Sequence, residues 1–141
     1  MDNRRPYSGV IDILKQAGLR PTSQRLALAR LLFEGADRHI TAEMLHAEAT
    51  AANIRVSVAT VYNALHQFRR AGLLREIVVD SQRAYFDTNL ARHHHFYRED
   101  TGALEDIRGD AVEIAQVPAA PKGTRVQQVD VVIRLAPDDL T

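Results

Sequence analysis

The sequence predicts an α+β protein, with a winged helix-turn-helix over residues 1–86 followed by a small α/β domain over residues 87–141. Three observations carry that prediction. Four segments before Gly72 repeat their apolar residues at helical spacing, and glycine, proline or a hydroxyl residue punctuates them. After Gly72 the period falls to two across a pair of short β-rich runs. Near the C-terminus a further run alternates cleanly, in a region too small to bury a core of its own.

In chain order, "GVIDILKQAG" places Val10, Ile11, Leu14 and Ala17 at helical spacing, with Gly18 as the stop. Pro21 biases Arg20 away from helical angles, and Thr22 or Ser23 caps the next helix, "QRLALARLLFEG", whose stripe is Leu28, Leu31 and Leu32. Thr41 opens "TAEMLHAEATAA", with Met44, Leu45, Ala49 and Ala52 inward and Glu43 near the positive end of the helix dipole. Ser57 opens "SVATVYNALHQFRRAG", with Val58, Val61, Leu65 and Phe68 inward. The runs "LLREIVV" and "RAYFD" flank the turn-like "DSQ" and form a hairpin. Two successive short helices with a trailing hairpin make Ser57–Ala71 the expected recognition helix. Beyond it, "GALEDI" is an expected strand, and "GDAVEIAQ" a short helix broken by Pro118 and Pro121. In the closing strand "RVQQVDVVIRL", Val129, Val131, Ile133 and Leu135 share one face. A second copy of the chain is expected to complete that face, making this half a dimerisation module.

The 45% hydrophobic and 26% charged content is that of an ordinary globular protein. The absence of cysteine removes disulfides, thiolate zinc and thiol catalysis together. No apolar run reaches the ~18–20 residues of a membrane span, and "MDNRRPYSG" lacks a signal peptide's apolar core, so the expected location is the cytoplasm. The net charge of zero hides an asymmetry. Residues 1–83 carry 12 Lys+Arg against 8 Asp+Glu, and residues 84–141 carry 6 against 10, a split of +4 and −4. The first part is therefore the one suited to a polyanion.

The stretch "ARHHHFYRED" sets three histidines side by side. On a strand, His93 and His95 would point to one face, about 6.6 Å apart at Cα, and His94 to the other. Both imidazoles could then meet one metal ion or one haem iron. A polar run on a solvated loop is the other reading of the same three residues.

The segments "GLRPTSQR", "HITAEML" and "SVATVYNALHQFRRAGLL", continued by "YFDTNLARHHHFY" and the final strand, resemble the ferric uptake regulator family over nearly the whole chain. The resemblance implies a homodimeric transcription regulator, not an enzyme, that binds A·T-rich palindromic double-stranded DNA. It implies a regulatory site at His39, Asp87, His93 and His95, spanning both domains, so that ion binding can become domain orientation. It also implies a possible second site at His94 and Glu113. The chain departs from the family where a Cys-X-X-Cys pair usually follows the histidines: Arg98 and Thr101 stand there, so the structural thiolate zinc is excluded. Val129 stands where the final strand usually carries a ligand histidine. Three histidines, no cysteine and the ending "VDVVIRL" look like the iron response regulator subgroup, which implies sensing of iron status through haem, or through divalent iron, manganese or zinc, at the cluster.

For DNA the resemblance points to Ser57, Thr60 and Tyr62 as phosphate and thymine contacts, and to Arg20 for an A·T-rich minor groove. Asn63 stands where many relatives have arginine, and asparagine pairs bidentately with adenine in the major groove. Thr22 and Arg25 belong to the same expected surface, Arg25 as a phosphate neutraliser. His46 and His66 lie on helices and are expected to pack or face solvent. Three rivals remain: a manganese or peroxide sensor of the same family, a metalloenzyme on the His-X-His cluster, and a haem carrier without DNA affinity. No positioned general acid, base or nucleophile accompanies the cluster, which argues against the enzyme.

Overall fold

The computed structural model describes residues 8–139. Its packing divides the chain into two compact units, Met1–Leu90 and Ala91–Thr141. In the first unit, α1 (Ser8–Gln16), α2 (Ser23–Phe33), β1 (His39–Ile40), α3 (Ala42–Ala51), α4 (Val58–Arg70), β2 (Arg75–Val78) and β3 (Ala84–Asp87) follow in order. The second contains β4 (His93–Arg98), β5 (Leu104–Arg108), a 3-10 turn (Gly109–Ala111) and β6 (Val132–Leu135).

Local chemistry sets the helix starts of the first unit. Thr22 Oγ1 accepts from Arg25 N at 3.2 Å, Thr41 Oγ1 from Met44 N at 3.1 Å and Ser57 Oγ from Thr60 N at 3.0 Å. Each such cap is worth about 1 kcal/mol. At the far end of α4, Gly72 takes φ +82° while Leu73 N returns to the Phe68 carbonyl at 2.9 Å, a left-handed stop that glycine adopts without steric cost. Leu14, Leu28, Leu32, Leu45, Val61, Leu65, Phe68 and Phe86 form one buried core under the α3–α4 helix-turn-helix.

Three inward assignments need correction. Met44 and Val58 are 43% and 40% exposed, and Ala52 is exposed as well. The buried stripe of α3 runs instead through Ala42, Leu45 and Ala49, which puts Met44 roughly 200° around the helix from Ala42. On α4 the stripe is Val61, Ala64, Leu65 and Phe68; Val58 belongs to the first turn, ahead of the buried residues. The three-stranded sheet of this unit has the order β1-β3-β2, so the hairpin gains a third strand of two residues, too short for any periodicity to reveal.

In the second unit β4 is the central strand, antiparallel to β5 and parallel to β6. The helix expected over "GDAVEIAQ" is absent: only Gly109–Ala111 turns, as a 3-10 helix, and Ala111, Glu113 and Ala115 are exposed. An isolated helix that short is unstable in water, and here it has no buried face to compensate. The last strand is also shorter than expected, four residues beginning at Val132. Its ladder ends where Val131 N donates to the His94 ring, at Nδ1 and 3.1 Å, instead of to a backbone carbonyl. Val129 and Ile133, expected on a packed face, are 37% and 38% exposed. Among the described residues no helix is long and apolar enough to cross a membrane.

Candidate metal centre

Strand register builds one pair of donor groups in the first unit. β1 pairs with β3 so that His39 lies opposite Asp87, and His39 Nε2 is 3.3 Å from Asp87 Oδ2. Asp87 is 1% exposed, and its other oxygen accepts from Asn89 N at 2.9 Å. A carboxylate buried to that degree requires such partners.

A second set of donor groups is built in the second unit by β4 and β5. His93, His94 and His95 are 5%, 1% and 0% exposed, which overturns the solvated-loop reading. His93 and His95 share a face, with ring centroids 4.6 Å apart. The register sets Asp106 of β5 opposite His95, and its Oδ1 lies 3.5 Å from His93 Nε2 and 3.4 Å from His95 Nε2. The His93 Nδ1–H donates to the Ala91 carbonyl at 2.5 Å; a carbonyl can only accept, so the neutral ring presents its lone pair at Nε2. The ligand atoms of His93, His95 and Asp106 all lie within 4.8 Å of one another. Imidazole nitrogens with carboxylate oxygens and no thiolate make a donor set for a first-row divalent cation such as manganese, iron or zinc. Asp106 is the residue that sequence reasoning missed. Its place depends on which β5 residue stands opposite the histidines, and an acid in "LEDI" was the only trace of it.

The residues of the expected second site lie differently. His94 faces the other side of β4, where its Nδ1 accepts from Val131 N. Glu113 is exposed, and with His93, Arg92, Arg108, Asp110 and Val112 it lines a pocket of about 760 Å³. Arg98 pairs with Glu105 at 2.9 Å.

The expected DNA contacts gather on the helix-turn-helix unit. Thr22, Arg25, Thr60 and Asn63 line one pocket of about 210 Å³, together with Gln24 and Gln67. Arg25 ties α2 to α4: its Nε and Nη2 donate to Gln67 Oε1 at 3.1 and 2.9 Å, and its Nη1 to the Arg20 carbonyl at 2.9 Å. Ser57 and Thr60 share a hydroxyl hydrogen bond of 2.9 Å, while Arg20 and Asn63 are exposed. Tyr62 is 38% exposed and its hydroxyl donates to Glu43 at 2.7 Å, a bond that raises the phenol above its ordinary range. The two helical histidines pack as expected, His46 Nε2 against the Val56 carbonyl at 3.1 Å and His66 edge-on to Phe86 at 5.5 Å.

Comparison with known proteins places this geometry. The chain is 34% identical over 95 residues to the peroxide-responsive repressor PerR of Staphylococcus aureus, a match covering 67% of this chain and 64% of that protein. The match thus spans under two thirds of the relative's length. The solved ferric uptake regulator of Pseudomonas aeruginosa with manganese is similar at 27% identity and a TM-score of 0.70, covering 90% of this chain and 96% of that one. The regulator of Vibrio cholerae is similar at 25% identity and a TM-score of 0.72, with coverages of 89% and 98%. Both likenesses bear out a winged helix-turn-helix followed by a small α/β domain. Residues 16–134 match the family model itself, and the chain therefore belongs to the ferric uptake regulator family, whose proteins are transcription regulators and not enzymes.

Proposed function

We propose that this chain is a cytoplasmic, homodimeric, DNA-binding regulator of transcription that responds to iron status through a divalent cation held by His39, Asp87, His93, His95 and Asp106. The observation that carries the reading is the pair of half-built donor sets, two groups in one unit and three in the other, each pre-ordered by strand register. Such a cation supplies positive charge that the histidines and carboxylates share. Ligands drawn from both units would make their mutual orientation depend on occupancy, and a ligand acts on an equilibrium only through such a difference in affinity between states. The exposed recognition-helix residues Tyr62 and Asn63, with the half-buried Thr60 and the exposed Arg20 of the same unit, support reading of an A·T-rich palindrome. Val117, Val126, Val129 and Ile133, 37–50% exposed in the single chain, support a second copy as the partner of the C-terminal unit.

A second reading keeps haem as the signal, as in the iron response regulator subgroup. It is favoured by the pocket of about 760 Å³ beside His93, whose lining joins an imidazole, two arginines and the aliphatic Val112 and Ile114. A peroxide-responsive role, as the name of the Staphylococcus relative has it, fits the same His/Asp set.

Metal content and the haem absorbance spectrum of the freshly purified protein separate the two main readings. Operator binding by anisotropy, on a duplex selected from a random pool, then tests the sensor role. The double variant His93→Ala/His95→Ala should lose the response to Mn²⁺ while apo binding to DNA stays nearly unchanged. Asp106→Asn should weaken Mn²⁺ binding by more than about tenfold. A double variant that still responds normally sinks the sensor role.

A further inference from the structure

The backbone on either side of the His39–Asp87 pair is locked in a way that neither ligand requires. Arg38 N donates to Thr88 Oγ1 at 2.9 Å, and Thr88 N returns to the Arg38 carbonyl at 3.1 Å. These two bonds tie together the residues next along the two strands from the His39↔Asp87 pair. The Arg38 side chain turns the other way, toward α3. Its guanidinium makes a two-point fork with Glu48, Nη1 to Oε1 at 2.8 Å and Nη2 to Oε2 at 2.5 Å, and Nη1 also reaches the Leu31 carbonyl of α2 at 3.4 Å. One residue therefore fixes the strand that carries His39 and grips the first helix of the helix-turn-helix. A planar fork on a carboxylate transmits direction as well as distance, which lysine in its place would not. The two side chains are 30% and 36% exposed, so solvent screens the charge attraction and the geometry is what matters.

We propose that Arg38 and Glu48 are positioning residues that hold His39 against Asp87 and carry the occupancy of that pair into α3. This rests on the metal reading given above. Movement of His39 toward a bound cation must shift Arg38, its chain neighbour, and the fork passes that shift to the middle of α3, which packs against α4. By contrast Arg30–Glu34, an i,i+4 ion pair of 2.8 Å at the C-terminal end of α2, serves as a control of equal charge.

The test uses the full-length chain in four forms: wild type, Arg38→Lys, Glu48→Gln and the control Glu34→Gln. Mn²⁺ affinity is measured by calorimetry, and amide hydrogen exchange of peptides covering residues 42–52 and 93–98 is followed with and without Mn²⁺. Thermal melts establish that each variant is folded. The expected result is Mn²⁺ binding weaker by about tenfold in Arg38→Lys and Glu48→Gln, the low end of what outer-shell partners cost. At saturating Mn²⁺, protection should still appear over 93–98 in both variants but be lost over 42–52, while Glu34→Gln matches wild type in both peptides. A role in stability alone would lower the melting temperature and leave the Mn²⁺-induced protection of 42–52 in place. Mn²⁺ binding by wild type with unchanged affinity and unchanged α3 protection in the two variants overturns the link alone. No Mn²⁺ binding by wild type overturns the metal reading and this role with it.

Discussion

At the scale of single residues, alternation was the legible signal and register the hidden one. His93 and His95 share a face because side chains on a strand repeat every second residue, and that can be read from three letters. Asp106 meets them because β5 pairs with β4 at one offset out of several possible, and nothing local to "LEDI" fixes that offset. Tyr62 shows the same limit on α4. Its hydroxyl donates at 2.7 Å to Glu43, nineteen residues earlier on α3, a partner that the sequence around Tyr62 does not announce. That hydrogen bond favours the protonated phenol, so the folded-state pKa lies above the unfolded value of about 10. The sign follows: the bond's contribution is fully present below the unfolded pKa and is lost as pH rises through the raised folded one. An ultraviolet titration should show the Tyr62 phenol ionising later than ordinary, and Glu43→Gln should bring that step back down. An unmoved step would mean that Glu43 is not the cause.

At the scale of elements, the helices of the first unit were legible because each announces itself twice, by a capping hydroxyl and by an apolar stripe. Thr41 with Leu45 and Ala49, and Ser57 with Val61, Leu65 and Phe68, are such cases. The strand β1 announced nothing, since two residues have no period, yet it delivers His39 to Asp87. In the second unit the sequence misled for a physical reason. "GDAVEIAQ" has helical spacing, but the single chain offers no surface to bury its apolar side, so only three residues turn. Gly109, which opens that turn, has a different constraint. A Cβ there would stand 2.6 Å from the Arg92 carbonyl oxygen, just before His93. Backbone cannot swing aside as a side-chain tip can, so Gly109→Ala must push β5's end away from the start of β4. The expected cost is about 1–3 kcal/mol, as for other overpacking substitutions, read as a lower denaturation midpoint at unchanged slope. A midpoint equal to wild type would show that the two segments part freely.

At the scale of the whole molecule, the two units differ in charge and in how well they cover their apolar surface. Met1–Leu90 holds 12 Lys+Arg against 9 Asp+Glu, and Ala91–Thr141 holds 6 against 9, so a balanced chain is split into +3 and −3 parts. The first unit closes a core of leucines and aromatics, whereas the second leaves Val117, Val126, Val129 and Ile133 outside. A sheet of three short strands needs a further surface to be stable, and the proposed second copy would provide it. What holds such a dimer follows from composition. With no cysteine, no thiolate metal site can be part of the fold, so strand pairing and apolar burial must do the holding. Removing metal with EDTA should therefore leave the dimer intact on a sizing column, at micromolar protein, while abolishing any Mn²⁺-dependent change in operator binding. The arginine substitutions Val129→Arg and Ile133→Arg should do the reverse, giving monomer with or without Mn²⁺, because each sets a charge on the face to be buried. Since each half-site of a palindrome needs its own recognition helix, these monomers should also bind the full operator more weakly than wild type, in the apo form as well. Monomer appearing on chelation alone would mean that the cation at the histidines is a structural bond between copies, and the sensing role would then have to be separated from assembly.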